Sequence, residues 1–496
     1  MNGSAAQTHG MHLLPRAFTL LVLLTLALTA GGLSCTPPAA AAEQVPALID
    51  LRTTFSDGAY DPETLVKMAL KKGIRVIFLN DHDRMAIEYG LPPFRNIIKK
   101  REERNSLMLS GGHSYLQTIA SLRKAHPDAV IIPGTESAPF YYWTGSLLTG
   151  SLTANDHERR LLTIGLERPE DYLALPVPHN DTAGFDPGRS LPALAAFGGV
   201  FLIGLYFLFV SGWWRLFGVL LTLAGAAFTT NLLLARPAPF DAYHGDQGAA
   251  PYQLFIDAVN QQGGLTFWNY PETRSGVRTL GPIQVKTLPY PQMLLETKDY
   301  TGFAALYGDT ITVTEPGNVW DTALKEYCRG LRGSPPWGIA AADFHREGEG
   351  GQSLGDFQTV LLLEEQSPQA VLAALKRGKM YASRGKYPHV PRLDEFSVSA
   401  AAPDAAPPAA SGDEVVLDGA ARIRIAVSGS AGQREEVRVR LIRSGTLIAE
   451  FKGTLPLKID HTDPLEKPGE KVYYRMDMTG AGAIVSNPIF VTRAQK

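Results

Sequence analysis

A chain of 496 residues is too long for one ordinary hydrophobic core, so two or more units are expected. Its 47 basic and 49 acidic residues nearly cancel and are mixed along the chain, so the basic stripe that a nucleic-acid partner requires is absent. Two cysteines, Cys35 and Cys328, exclude a disulfide framework and a cysteine-rich zinc site; Cys328 in KEYCRG reads as a half-buried helix residue.

The first element is AFTLLVLLTLALTAGGL, Ala17 to Leu33, behind Arg16. Its length and mild positive flank make residues 1–44 a signal peptide or a signal anchor. GLSC resembles a lipoprotein cleavage box with Cys35 as the lipidated residue, although Gly32 stands where a larger apolar residue is usual. Cleavage, lipidation and retention stay open, and the chain beyond is expected on the exported face in each case.

From residue 45 the pattern alternates. KKGIRVIFLNDHD, DAVIIPGTES, LLTIGLE, GGLTFWNYP, QMLLETKD and WGIAAADFH are short apolar runs that end in polar or reactive residues. DPETLVKMALKKG, SYLQTIASLRKAHP, YQLFIDAVNQQGG and VWDTALKEYCRGLRG lie between them with helical spacing. Asp61 as N-cap, Pro62 at the first helical position and Gly73 after the last bound the first helix. Such alternation predicts an α/β fold with a parallel sheet or barrel, whose reactive residues gather at the carboxyl ends of the strands.

The alternation is interrupted at 191–236. Leu194 to Trp214 and Leu216 to Ala235 are uncharged, apolar and long enough to cross a bilayer, separated only by Arg215. Trp213 and Trp214 suit a membrane interface. A transmembrane hairpin returns the chain to the side it left, so 45–190 and 237–390 can build one domain in one compartment. Arg215 in the short turn agrees with that turn being cytoplasmic. After residue 391 an Ala/Pro-rich stretch gives way to ARIRIAVSG, EEVRVRLIRSG, TLIAEFKG, KVYYRMDMTG and SNPIFVTR, whose period of two predicts a small antiparallel β-sandwich over 391–496.

The stretch FSDGAYDPETLVKMALKKGIRVIFLNDHD, followed in order by PGTES, LLETKD and AADFH, resembles the PHP (polymerase and histidinol phosphatase) domain over residues 47–390, with the hairpin inserted. The resemblance implies a distorted seven-stranded β/α barrel and phosphoester hydrolysis with up to three metals. It also implies a role for each matching position. Asp57, His82 and His345 correspond to a complete one-metal set. Asp50, Glu136 and Asp343 correspond to what remains of a second, with Arg52 in place of a histidine ligand. Arg160 and Tyr270 stand where a third metal would want histidines, so that site is expected to be lost.

Arginine has no lone pair to donate to a metal, but its guanidinium matches phosphate bidentately. Arg52, Arg160 and Tyr270 are therefore the candidates for contacting phosphate. One or two divalent ions, Zn, Mn or Fe, are the expected cofactor, and a water on such an ion would have its pKa lowered towards ~7. The functional expectation is an exported, membrane-tethered phosphoesterase acting on a phosphorylated small molecule or polymer. The alternative is a non-catalytic barrel that binds an anionic ligand or a protein at the membrane surface through Arg52 and Arg160; the plainer reading of those two arginines is structural pairing with Glu136 and Asp343. Each residue also has a plainer role: Asp57 as a turn residue, Asp81 and Asp83 as caps, His345 as a loop histidine, Tyr270 as packing. His113, His179 and His244 are read as ordinary polar residues.

Overall fold

A computed structural model describes residues 42–179, 187–236, 238–309, 312–401, 407–430, 432–464 and 467–495. The N-terminal segment and Cys35 lie outside the described residues. Strand β1 (Glu43–Leu51) leads through a turn into helix α1 (Pro62–Lys71), whose N-cap Asp61 accepts from Thr64 N at 3.0 Å and whose Leu65, Val66 and Ala69 face the core. Then follow β2 (Val76–His82), the ribbon β3 (Met85–Gly90) and β4 (Lys99–Arg104), helix α2 (Gly112–Ala125), and β5 (Val130–Ser137). The short strands β6 (Tyr142–Thr144) and β7 (Thr153–Asn155) precede β8 (Arg160–Ile164).

Helices α3 (Pro187–Leu208) and α4 (Trp213–Leu233) form the hairpin. Both are long and apolar enough to cross a membrane, and only 6% and 11% of the two stretches is buried by protein, unlike core helices. The break falls earlier than the sequence suggested. The first helix stops at Leu208, and Gly212, at φ 73°, turns the chain so that Trp213 and Trp214 open the second helix. The two helices touch closely: a side chain at Gly225 would meet Phe201 N at 2.5 Å.

After the hairpin come helix α5 (Ala250–Gln261), β9 (Leu265–Asn269), the β10 (Gly276–Leu280) and β11 (Ile283–Thr287) hairpin, and β12 (Gly302–Leu306). Helix α6 (Val319–Cys328) and β13 (Trp337–Ala340) complete this stretch. The strands pair in the order β13-β12-β9-β8-β5-β2-β1. At the far end, Ala342 N donates to Ile49 O (3.0 Å), Phe344 N to Asp50 O (3.1 Å) and Arg52 N to Phe344 O (3.0 Å). The segment after β13 thus returns to β1.

The sheet is mixed. β1, β2 and β5 are parallel, and so are β9, β12 and β13, but β8 runs antiparallel to both neighbours. The reason lies between β5 and β8. No crossover helix joins them; β6 and β7 do, and a parallel return needs such a crossover.

Beyond β1 the same sheet continues through β14 (Phe357–Leu363) and, after helix α7 (Pro368–Arg377), β15 (Met380–Arg384). Strand β16 (Arg392–Ala400) pairs with β17 (Ala409–Ala410) and opens a second, four-stranded sheet. Strand β18 (Glu414–Leu417) belongs to the main sheet. β19 (Ala421–Ser428) belongs to the four-stranded one, followed by β20 (Glu436–Arg443) and β21 (Thr446–Thr454) in the main sheet. β22 (Leu457–Asp463) completes the four-stranded sheet, and β23 (Lys471–Gly480), β24 (Gly482–Ser486) and β25 (Ile489–Arg493) rejoin the main one through β15–β24 pairing. A separate apolar core, including Val398, Ile423, Val439 and Met476, lies among these C-terminal strands.

Candidate metal centre

The reactive residues sit at one end of the sheet because of the register. His82 is the last residue of β2 and pairs directly with Glu136 of β5. Asp50 lies near the end of β1. Arg160 opens β8, which runs the other way, and so lands opposite Asn269, the last residue of β9. Asp343 and His345 follow β13.

One backbone bond joins the most distant pieces and a second closes the turn that carries Asp57. Ala59 N donates to His345 O (2.9 Å), and Gly58 N donates to Thr53 O (3.0 Å). Gly58 must be glycine here, since a Cβ would lie 2.3 Å from Arg52 O. The turn that carries Asp57 is clamped from below by Asp81. This buried carboxylate accepts from Thr53 N (2.7 Å), Thr53 Oγ1 (2.8 Å) and Ser56 Oγ (2.6 Å). Asp83 accepts from Arg84 N (2.6 Å) and Ser137 Oγ (2.7 Å), a cap outside the cluster.

The outcome is a three-residue group. One side-chain donor atom each from Asp57, His82 and His345 lies within 4.8 Å of the others. His82 Nε2 is 3.4 Å and His345 Nε2 is 3.5 Å from Asp57 Oδ2. A tetrahedral ion with bonds near 2.1 Å has ligand–ligand edges of about 3.4 Å. The ring orientations fit as well. His345 Nδ1 is 2.9 Å from Asp343 O and His82 Nδ1 is 3.1 Å from Glu136 Oε2. An acceptor oxygen stands beside each Nδ1, a placement that suits Nδ1–H tautomers with both Nε2 atoms facing Asp57.

The second cluster is filled by a guanidinium. Arg52 is fully buried and reaches Asp50 (2.5 Å), Glu136 (2.8 Å) and Asp343 (3.6 Å), and also donates to Asn80 O. It is spread over three carboxylates and has no exposed face. Asn269 Nδ2 bridges Asp50 (3.0 Å) and Glu136 (2.6 Å), and Tyr270 OH donates to Asp50. Arg160 Nη1 is 2.5 Å from Glu136 Oε2 and 2.9 and 3.0 Å from the two ring nitrogens of His82. Its side chain keeps 19% exposure, and those of Asp57, His345 and Asp343 keep 35%, 26% and 50%, so the group opens to solvent on this side.

Charge follows the geometry. Burial pushes the Asp50 carboxyl up to about 6, against the pull of Arg52. Burial also works to raise Glu136, but Arg52 and Arg160 outweigh it and hold that carboxyl well below its usual range. Burial opposes ionisation of Asp57 too, yet its hydrogen bonds with His345 and His82 keep it far below the ordinary carboxylate value. For His345 burial disfavours the charged ring, and Asp57 and Asp343 together overcome it, lifting the imidazole to about 9. A cation entering the cluster therefore displaces a proton from it. Three of the seven non-glycine residues at positive φ among the described residues, Asp50 (74°), Tyr270 (46°) and Asp343 (49°), are here, where backbone strain tends to mark function.

Sequence reasoning passed over Asn269 and Asn80. Asn269 precedes Tyr270 in FWNYP and becomes visible only once β8 and β9 are paired. Asn80 Oδ1 accepts from Asp50 N at 3.0 Å, two residues before His82. The available signal was a polar residue at the end of an otherwise apolar strand.

No family model matches the chain, and no curated protein does. Among solved structures it is similar to a two-domain protein from Bacteroides vulgatus containing a predicted PHP-like metal-dependent phosphoesterase: 10% identity, TM-score 0.36, covering 90% of this chain and 97% of the other. It is also similar to a protein from Bifidobacterium adolescentis assigned as a metal-dependent phosphoesterase: 14% identity, TM-score 0.30, covering 66% of this chain and 95% of the other. Likenesses this loose carry no argument, so the chemistry has to be read from the residues themselves.

Proposed function

We propose that this chain is a membrane-anchored, PHP-like phosphoesterase with one cation site at Asp57, His82 and His345, its second cation position taken over by Arg52. The carrying observation is the pair of near-tetrahedral edges at Asp57 with both Nε2 atoms turned inward. Strands β1, β2, β5, β8, β9, β12 and β13, with residues 342–344 returning to β1, support a distorted seven-stranded barrel. The two C-terminal sheets around their own core support a sandwich.

Two imidazoles and a carboxylate suit Zn, Mn or Fe. When bound, such an ion supplies Lewis acidity towards a phosphoester oxygen and lowers the pKa of water. The chain's own residues do the rest. Arg160, reachable from solvent, pairs with a phosphoryl oxygen. Arg52 keeps Asp50, Glu136 and Asp343 from repelling one another. Asn269 and Tyr270 fix Asp50, and Glu136 fixes the His82 ring. The substrate class is a phosphorylated small molecule or polymer. The hairpin keeps both halves of the barrel on one side of the bilayer. Arg215 lies in the first turn of α4, not in the connection as the sequence suggested, and its charge at that end of the helix still supports a cytoplasmic connection and an exported barrel.

One observation favours a second reading. Arg160 Nη1 stands 2.9 and 3.0 Å from the two ring nitrogens of His82, so its positive charge opposes a cation at Nε2 and the two compete for the same place. Should the arginine win, the barrel binds anions without turnover. Metal analysis of the purified protein, followed by hydrolysis of an aryl phosphate with Mn²⁺ added, separates the two. The enzyme reading expects bound metal and turnover, both lost in His82→Ala; metal-free protein without turnover supports the binder.

A further inference from the structure

The ribbon β3–β4 ends in the loop LPPFRNII, Leu91–Ile98, and this loop is fastened to the hairpin. Asn96 N donates to Asn231 Oδ1 (2.9 Å) and Asn96 Nδ2 to Asn231 O (3.0 Å). The Phe94 ring lies 4.9 Å from that of Phe228, which itself stacks on Phe197 at 4.8 Å. Leu91, Ile97 and Ile98 remain 39%, 41% and 50% exposed.

Depth is the issue. Phe228 lies five residues before the end of α4, about 7.5 Å along the axis at 1.5 Å per residue. The 21 residues of α4 span about 32 Å by the same rise, barely the thickness of the hydrocarbon layer. The helix has no slack to lift Phe228 clear of the bilayer, so whatever stacks on it goes down to it. Asn231, a polar residue inside an apolar span, has its side-chain oxygen and its carbonyl satisfied by Asn96, as a low-dielectric setting demands.

Resting on the membrane reading of α3 and α4, we propose that loop 91–98 is a third membrane element, a wedge seated in the bilayer interface beside the hairpin with Leu91, Ile97 and Ile98 against lipid. The occupant of this apolar surface is lipid because the surface is continuous with the hairpin. Charge does not drive it. Lys99 pairs with Glu88 (3.0 Å), Lys100 with Glu102 (2.9 Å) and Arg101 with Glu103 (2.8 Å), so three of the ribbon's four cations are paired within it. The loop is also tied to the chain just after α4: Gly90 N donates to Tyr243 OH (2.7 Å), and Arg95 lies 3.8 Å over the same ring. β3 begins three residues after His82, and its six residues span about 20 Å. The ribbon is therefore a strut that sets the height of the metal centre above the bilayer.

The test uses the full chain with Cys35→Ser and Cys328→Ser, reconstituted in phosphatidylcholine nanodiscs. A nitroxide is attached in turn at Ile97→Cys, Ile98→Cys, Leu223→Cys in the middle of α4, and Leu447→Cys among the C-terminal strands. The wedge expects labels at 97, 98 and 223 to be relaxed more by oxygen than by a water-soluble nickel chelate, and the reverse at 447. Lipid exposure at 223 with aqueous or protein-shielded labels at 97 and 98 overturns the wedge and leaves the anchor standing. An aqueous label at 223 overturns the anchor and the wedge with it.

Discussion

Arg475 and Arg52 are both wholly buried guanidinium groups, and their surroundings differ in kind. Arg475, on β23, grips Asp321 of α6 with two parallel bonds, Nε to Oδ1 and Nη2 to Oδ2, each 2.7 Å, and gives a third to Thr314 O. Tyr473 OH completes Asp321 at 2.8 Å, and the arginine lies 4.9 Å over Trp320. Neighbouring Arg440 holds Asp477 in the same two-pronged way. None of these residues has a positive φ. That region is a joint between the helical part of the chain and the C-terminal strands, with every strong acceptor matched to a fork. Arg52 grips no carboxylate with two prongs and is divided among three, of which Glu136 also takes Arg160, and Asp343 and Asp57 stay 50% and 35% open to solvent. A charged joint and a charged site thus differ on the carboxylate side: the joint closes each acid with a two-pronged grip, whereas the site divides its guanidinium among several acids, leaves some of them open and bends the backbone there.

Substitution separates the two arginines. Asp321→Ala leaves Arg475 buried without its partner and is expected to cost about 3–5 kcal/mol, with no recovery on adding Mn²⁺. Arg52→Met leaves Asp50 and Asp343 without their guanidinium and Glu136 with Arg160 alone, and costs a similar amount, about 3–5 kcal/mol. There Mn²⁺ should recover part of the loss, because the exposed group is a set of oxygen ligands. Thermal melts in detergent with and without Mn²⁺ decide it; equal behaviour of the two variants would undo the distinction.

Smaller effects follow around the Asp57 turn. Gly58→Ala drives a methyl into the carbonyl of Arg52 and should destabilise by about 1–3 kcal/mol, read by urea denaturation. Ser56→Ala removes one of three bonds onto Asp81 while leaving the ligands in place. Its expected effect is cation affinity weaker by about tenfold with a nearly unchanged melting curve, measured by titration calorimetry.

The effect that is smallest at neutral pH and grows only in acid comes from two buried histidines. His157 and His179 both lie against Tyr141, and Tyr141 OH is 2.8 Å from His179 Nε2. Burial pushes them down, His157 to about 4 and His179 to about 3. The fold holds both rings neutral, so as pH falls below 6.5 the unfolded chain takes up protons that the folded chain does not. Their contribution is whole above pH 6.5 and is lost as pH falls towards 4 and then 3. Melts of His157→Gln across that range should show a shallower acid slope than the parent.

The Asp57 turn, the tip of β2 and the Asp-x-His after β13 were legible because each is a short local pattern with a fixed order. Helix α1 was legible from its cap, its proline and its closing glycine. The direction of β8 was not, since three-residue strands such as β6 and β7 are too short to show a period of two. Pairing with β9 also comes from a segment on the far side of the hairpin. The resemblance singled out Arg52 as standing at a ligand position, but its burial among three carboxylates follows from the return of residues 342–344 to β1, which depends on contacts nearly three hundred residues apart. The helix break at Gly212 was hidden by apolar residues on both sides.

The convergence of Asp57, His82 and His345 on one cation is tested most directly by titrating Mn²⁺ or Zn²⁺ into the purified full chain and into its His82→Ala and His345→Ala variants, with Arg160→Ala alongside. The account predicts a single site per chain, abolished in both histidine variants and tightened in Arg160→Ala, where the competing guanidinium is gone. Binding that survives loss of either histidine, or no binding even without Arg160, would contradict it.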